Sequence, residues 1–103
     1  MSTEDAQRVS ALSDLRIIDM ATIVAGPAAA KYLGDFGAEV IKVEAPAGDS
    51  TRRLGWGLRE GDDSFFWKLI GRNKKCVTLD LKTENGLKRM LKLIDSSDAL
   101  IEN

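Results

Sequence analysis

Between Leu15 and Glu44 the spacing of apolar positions changes period twice. Arg16-Ile17-Ile18-Asp19-Met20 is a short β-branched run and reads as a strand. Ala21 to Pro27 then turns into a helix, with Pro27 placed as its first helical residue, where its missing N–H would have had no partner. Gly26 allows a sharp bend and puts no side chain in front of the helix, whose free N–H groups make a weak anion site. Ala28 to Phe36 are helix formers with Ala29, Leu33 and Phe36 on one face, and Gly37 supplies the stop. Ala38-Glu39-Val40-Ile41-Lys42-Val43-Glu44 alternates around a β-branched centre, which closes a right-handed β-α-β unit.

The pattern then breaks. Ala45 to Asp63 is punctuated by Pro46, Gly48, Gly55, Gly57 and Gly61 and predicts a long loop, in which Asp49 and Arg52 suggest a local clamp. Ser64 caps a short helix over Phe65–Ile70 whose aromatics plug a core edge. Gly71-Arg72-Asn73-Lys74-Lys75 reads as a basic turn, and Cys76-Val77-Thr78-Leu79-Asp80-Leu81 as a third strand. Thr83 caps a further helix in which Leu87, Met90, Leu91 and Ile94 fall at helical spacing, predicting the face that packs on a sheet. Ser96-Ser97-Asp98 leads to a fourth strand at Ala99-Leu100-Ile101-Glu102. The polar stretch from residue 1 to 13 reads as an N-terminal arm, with residues 14–103 forming one unit.

Composition removes whole classes of chemistry. Fifteen Lys and Arg against 16 Asp and Glu leave a net charge of −1, without the basic field that nucleic acid binding needs. With no histidine, Ser-His and Cys-His nucleophile pairs and histidine zinc sites are excluded. The single cysteine, Cys76, fits a reducing cytoplasm and reads as a small core residue of its strand rather than a nucleophile. No apolar run approaches the roughly 20 residues of a membrane span, and no metal-ligand spacing is present.

The order of elements is that of an α/β fold, an open, mostly parallel sheet with flanking helices. Ligands of such sheets bind beyond the carboxyl ends of the strands, near the point where strand order reverses. Those ends are Thr22–Gly26, Glu44–Ala45, Leu79–Lys82 and Asn103, which should line one rim. Neither GxGxxG nor GxxxxGK[ST] occurs, so dinucleotide binding by the usual glycine turn is not indicated.

The ordered series Leu15-Arg16-Ile17-Ile18-Asp19, Ala25-Gly26-Pro27, Leu33 to Glu44, Gly48-Asp49 with Arg52, Arg72 to Lys75 and Ile101-Glu102-Asn103 closely resembles the opening of class III CoA-transferases, the CaiB/BaiF family. The resemblance runs from about Leu12 to the last residue. It implies the N-terminal part of a large, Rossmann-like CoA-binding domain, here incomplete, and, in the full-length protein, a smaller second domain and an interlocked homodimer. It further implies transfer of CoA between an acyl-CoA and a carboxylic acid through an aspartyl intermediate that lies beyond this chain, so that no catalytic residue is expected here and the chain alone should be inactive. By position in the motif, Val24 and Ala25 resemble residues that meet CoA after the first strand. Leu79, Asp80, Leu81 and Lys82 resemble the stretch flanking its adenosine part, and Asn103 the asparagine of the next contact. At Ala45, formyl-CoA-transferase-like members carry an arginine that pairs with a CoA phosphate; Lys42, Lys74 or Lys75 are the candidates to replace it. Two other readings remain: part of a 2-methylacyl-CoA racemase-like enzyme, or a non-catalytic α/β binding module.

Overall fold

The computed structural model describes residues 10–103. In chain order the elements are β1 (Arg16–Asp19), α1 (Ala25–Asp35), β2 (Glu39–Glu44), a single 3-10 turn (Ser50–Arg53), α2 (Phe65–Ile70), β3 (Lys74–Thr78), α3 (Glu84–Asp95) and β4 (Ala99–Ile101). All four strands pair in parallel, in the order β3-β2-β1-β4, with Ile18 opposite Ile41 and Leu100. The expected open parallel α/β sheet is thus present. Strand order reverses at β1, whose neighbours are β2 on one side and β4 on the other.

Alternation along β1 divides the core. Ile17 faces a layer with Ala30 and Val40, joined by Leu12, Leu15, Leu33 and Ile101; Ile18 faces the opposite layer with Val43 and Met90, joined by Met20, Leu79 and Leu93. Both faces of the sheet are therefore covered, as parallel strands require. Ile18 is fully buried, which is worth about 1.5–3 kcal/mol for a side chain of that size. Of the expected arm, residues 1–9 lie outside the described residues; residues 11–14 form a turn, in which the Leu12 N–H donates to Phe36 O at 3.0 Å.

Both long helices are rotated from the face their spacing predicts. In α1 the inward residues are Pro27 and Ala30, with Leu33 beside them, while Ala29 is exposed and Phe36 is 63% exposed. Small residues face the sheet: a Cβ on Gly34 would already touch Val40 at 3.4 Å. In α3 the buried residues are Gly86 and Met90, and Leu87, Leu91 and Ile94 stand in solvent. A Cβ on Gly86 would lie 1.9 Å from Asp80 O, so this glycine brings the start of α3 against the preceding loop and decides which face looks inward. The caps expected at Ser64 and Thr83 are made, by hydrogen bonds from Trp67 N and Gly86 N, both at 3.0 Å.

The third strand begins two residues before its expected start, because Lys74 and Lys75 pair with Val40 and Ile41, and it ends at Thr78. Leu79 to Lys82 form a connecting turn instead, in which the Lys82 N–H donates to Asp80 Oδ1 at 3.0 Å. Cys76 corrects another expectation: it is an exposed residue of this edge strand, not a core one. Partial desolvation by its neighbours and the Glu44 carboxylate push its pKa up, the opposite of an activated thiol.

Candidate functional site

A cleft of about 320 Å³ opens at the carboxyl ends of β1, β2 and β3. Its walls are Met20 to Thr22 after β1, Val43 to Ala45 with Gly48 to Ser50 after β2, and Leu79 to Lys82 after β3. Ala45, Leu79, Asp80, Leu81 and Lys82, five of the residues anticipated from the sequence, therefore share one cavity. Val24, Ala25 and Asn103 do not line it. They stand on the β1–β4 side of the rim and connect to the cleft through Thr22, whose N–H donates to Asn103 Oδ1 at 3.1 Å and whose carbonyl accepts from Asn103 Nδ2 at 2.8 Å.

The turn between β1 and α1 is held in an unusual conformation. Ile23 has φ +68°, a left-handed backbone that a β-branched residue adopts at a cost of about 1–3 kcal/mol and only when its surroundings enforce it. Asn103 clamps Thr22 from one side. From the other, the Ala21 N–H donates to Asp19 Oδ1 at 3.0 Å, and Lys42 Nζ donates to Ala21 O. Gly26 completes the fit, since a Cβ there would sit 2.1 Å from that of Ala21. Helix α1 consequently starts with no side-chain cap and no acidic residue in its first turn, leaving its positive end open at the rim.

Beneath the rim runs a buried chain of alternating charges. Lys74 Nζ lies 2.7 Å from Asp19 Oδ2, Lys42 Nζ lies 3.5 Å from Asp19 Oδ1, and Lys42 Nζ is 2.9 Å from Asp49 Oδ2. All four side chains are nearly inaccessible, with Lys42 at 2% and Asp19 at 0%. Burial drives the Lys74 ammonium below its ordinary pKa, with Asp19 opposing. For Asp49, burial works upward, but hydrogen bonds from Lys42 and Thr51 outweigh it and hold the carboxyl below its ordinary value. Of the three lysines that could stand in for the arginine missing at Ala45, Lys42 and Lys74 are buried in these pairs, whereas Lys75 is exposed and pairs with Glu39 at 2.8 Å.

A second set of contacts fixes the outer wall. The Arg52 guanidinium bonds Glu44 through Nε at 2.8 Å and Nη2 at 2.7 Å, reaches Asp63 at 3.0 Å, and lies 4.3 Å above the Trp67 ring. Asp49 and Arg52 are each clamps, but not of one another, since Asp49 caps the 3-10 turn and pairs with Lys42. The hydrogen bonds from Arg52 hold Glu44 below the ordinary carboxylate range. With Glu44 and Asp49 both neutralised and Asp80 turned onto its own loop, Lys82 is the cation of the cleft wall that makes no ion pair among the described residues. Among the described residues no group of three or more His, Cys, Asp or Glu could hold a metal ion, and no helix is long and apolar enough to cross a membrane.

Thr22, expected at the rim, is a wall residue, while sequence reading missed Gly48 and Ser50 and did not anticipate the buried charge chain. A lysine flanked by Ile41 and Val43 in a central strand was the available signal, because an ammonium in that place must have buried partners.

A parallel sheet covered by helices on both faces, with a cleft at the carboxyl ends of β1, β2 and β3, defines an open, doubly wound type of α/β protein. Residues 12–103 match CoA-transferase family III, and the chain belongs to that family. It is 47% identical over 93 residues to the succinyl-CoA–L-malate CoA-transferase alpha subunit of Chloroflexus aurantiacus, a match covering 89% of this chain and 22% of that protein. It is 40% identical over 101 residues to the human succinyl-CoA:glutarate CoA-transferase, covering 96% of this chain and 23% of the relative. Among solved structures, a CaiB/BaiF family protein from Brucella suis superposes with a TM-score of 0.85 at 34% identity, covering 93% of this chain and 26% of that one. The chain thus spans about a fifth to a quarter of the length of the relatives it matches.

Proposed function

We propose that this chain is the N-terminal CoA-binding part of an enzyme that moves CoA between an acyl-CoA and a carboxylic acid, the aspartyl intermediate forming on a residue outside these 103. The observation that carries the reading is the rim cleft. Ala45 and Leu79 to Lys82 share its wall, and the Thr22 clamp sets Val24, Ala25 and Asn103 beside it. Apolar Leu79 and Leu81 suit an adenine face, while Lys82 and the uncapped start of α1 suit phosphate oxygens. In this reading the cleft wall binds and orients, and the one thiol, pushed away from the thiolate, takes no part in the chemistry. In the full-length protein we place this part in an interlocked, cytoplasmic homodimer.

Titration of the chain with CoA by calorimetry tests the reading. Saturable heat that weakens at least several-fold in Lys82→Ala is the expected result. No heat at millimolar CoA overturns it and favours a non-catalytic α/β module. A racemase-like enzyme would bind CoA equally well, and separating it from a transferase requires assay of the full-length protein with a free carboxylic acid acceptor.

A further inference from the structure

We propose that Lys42 and Lys74, although cationic and close to the rim, are not ligand contacts but positioning residues. Acting with Asp19, they clamp the Ala21–Pro27 turn and hold Ile23 in its left-handed conformation. The geometry carries this assignment. Each ammonium is divided between a carboxylate and a main-chain carbonyl of that one turn: Lys42 bonds Asp19, Asp49 and Ala21 O, while Lys74 bonds Asp19 and, at 2.8 Å, Pro27 O. Asp19 itself accepts from the Ala21 N–H. Two strands on one side of β1 thereby grip the turn at its first and last residues, and Asn103, following β4 on the other side, grips Thr22 between them. Two lysines and two carboxylates balance in charge, and neither lysine has accessible surface to offer a ligand. A purely stabilising core would use apolar residues there at least as well. A network that ends on turn carbonyls instead fixes a backbone shape that its own residues would not choose.

The inference rests on the proposed CoA reading only for what the turn presents; the shape of the turn is measurable without ligand. In the unmodified chain, the Nζ protons of Lys42 and Lys74 should exchange slowly in NMR spectra, whereas those of exposed Lys75 and Lys88 exchange fast. Addition of CoA should shift Lys82 Nζ and leave Lys42 and Lys74 unmoved. The second measurement uses the charge-balanced double variant Lys42→Met/Asp49→Asn, which leaves the Asp19–Lys74 pair intact. Strand amides from Val40 to Val43 should stay protected, while Ala21 and Thr22 amides exchange about tenfold faster or more. The strong intraresidue amide–Hα contact that marks a positive φ should weaken at Ile23. Fast Nζ exchange at Lys42 and Lys74 in the unmodified chain overturns the proposal, as does a folded double variant with an unaltered turn. If the double variant unfolds, Nζ exchange in the unmodified chain decides. If CoA shifts nothing at all, the functional reading fails while slow Nζ exchange and a loosened turn still uphold the clamp.

Discussion

Arg52 shows how one side chain can hold a loop of this length in place. It satisfies both oxygens of Glu44, touches Asp63 and covers Trp67, so truncating it strands a carboxylate that is only 4% exposed. Breaking a buried pair costs about 3–5 kcal/mol, and because Arg52 retains some solvent contact the lower end applies. Arg52→Ala should therefore lose on the order of 3 kcal/mol in urea unfolding, and Glu44→Gln less, since the amide keeps one hydrogen-bond acceptor. The same residues set the acid limit. Glu44 is held below its ordinary pKa by Arg52, and Asp49 below its own by Lys42 and Thr51 in spite of burial. A carboxyl whose folded pKa is depressed binds more protons unfolded than folded in the window between its two pKa values. The stability it lends is complete above the ordinary value of about 4 and drains as pH falls through the lower, folded one. Urea midpoints measured from neutral pH downward should hold level to about pH 5 and then drop, with a shallower drop in Glu44→Gln.

At the scale of elements, the instructive case is α3. Leu87, Met90, Leu91 and Ile94 repeat at helical spacing, yet only Met90 is buried, because Gly86 lets the start of the helix close on Asp80 and rotates the leucines outward. Met90→Ala should cost about 2–5 kcal/mol, while Leu91→Lys in this chain should stay within about 0.5 kcal/mol of the parent. Comparable losses at both positions would mean that the periodic face, not the one seen here, packs on the sheet. Gly86→Ala should behave like a core mutation, losing about 1–3 kcal/mol, since no rotamer relieves a Cβ set against a carbonyl. The existence and order of strands and helices were legible because β-branched runs such as Ile17-Ile18 and Val40-Ile41 differ in period from Thr83 to Asp95. Which face packs was not, since that is decided by where a missing Cβ permits close approach, at Gly34 and Gly86. The start of β3 was hidden for a related reason. Lys74 looks like a turn residue until Asp19, 55 positions earlier, is seen to neutralise it.

On the scale of the whole molecule, strand order is what turns these local devices into a cleft. Because β1 is central and the chain leaves it in one direction and returns to its other side with β4, the carboxyl ends of β1, β2 and β3 open onto one space while Asn103 closes the turn from the flank. Ala45 and Leu79 to Lys82 share that space because parallel strands all present their carboxyl ends to the same edge, whereas Val24, Ala25 and Asn103 stand outside its wall. The charge chain did not, because it depends on sheet neighbours distant in sequence. If CoA binds this rim in the folded state only, mass action stabilises the fold by RT ln(1 + [L]/Kd), about 2.7 kcal/mol at a hundred-fold excess over Kd. Thermal unfolding should then shift upward with CoA concentration, and the shift should shrink as salt rises, because Lys82 is exposed and a phosphate paired with it would be screened. Asn103→Ala should halve or abolish the shift while changing the ligand-free midpoint little, since its two bonds to Thr22 are exposed and stabilise the turn more than the core. A ligand-free midpoint that falls as far as the CoA-dependent shift would assign Asn103 to the fold instead of the rim.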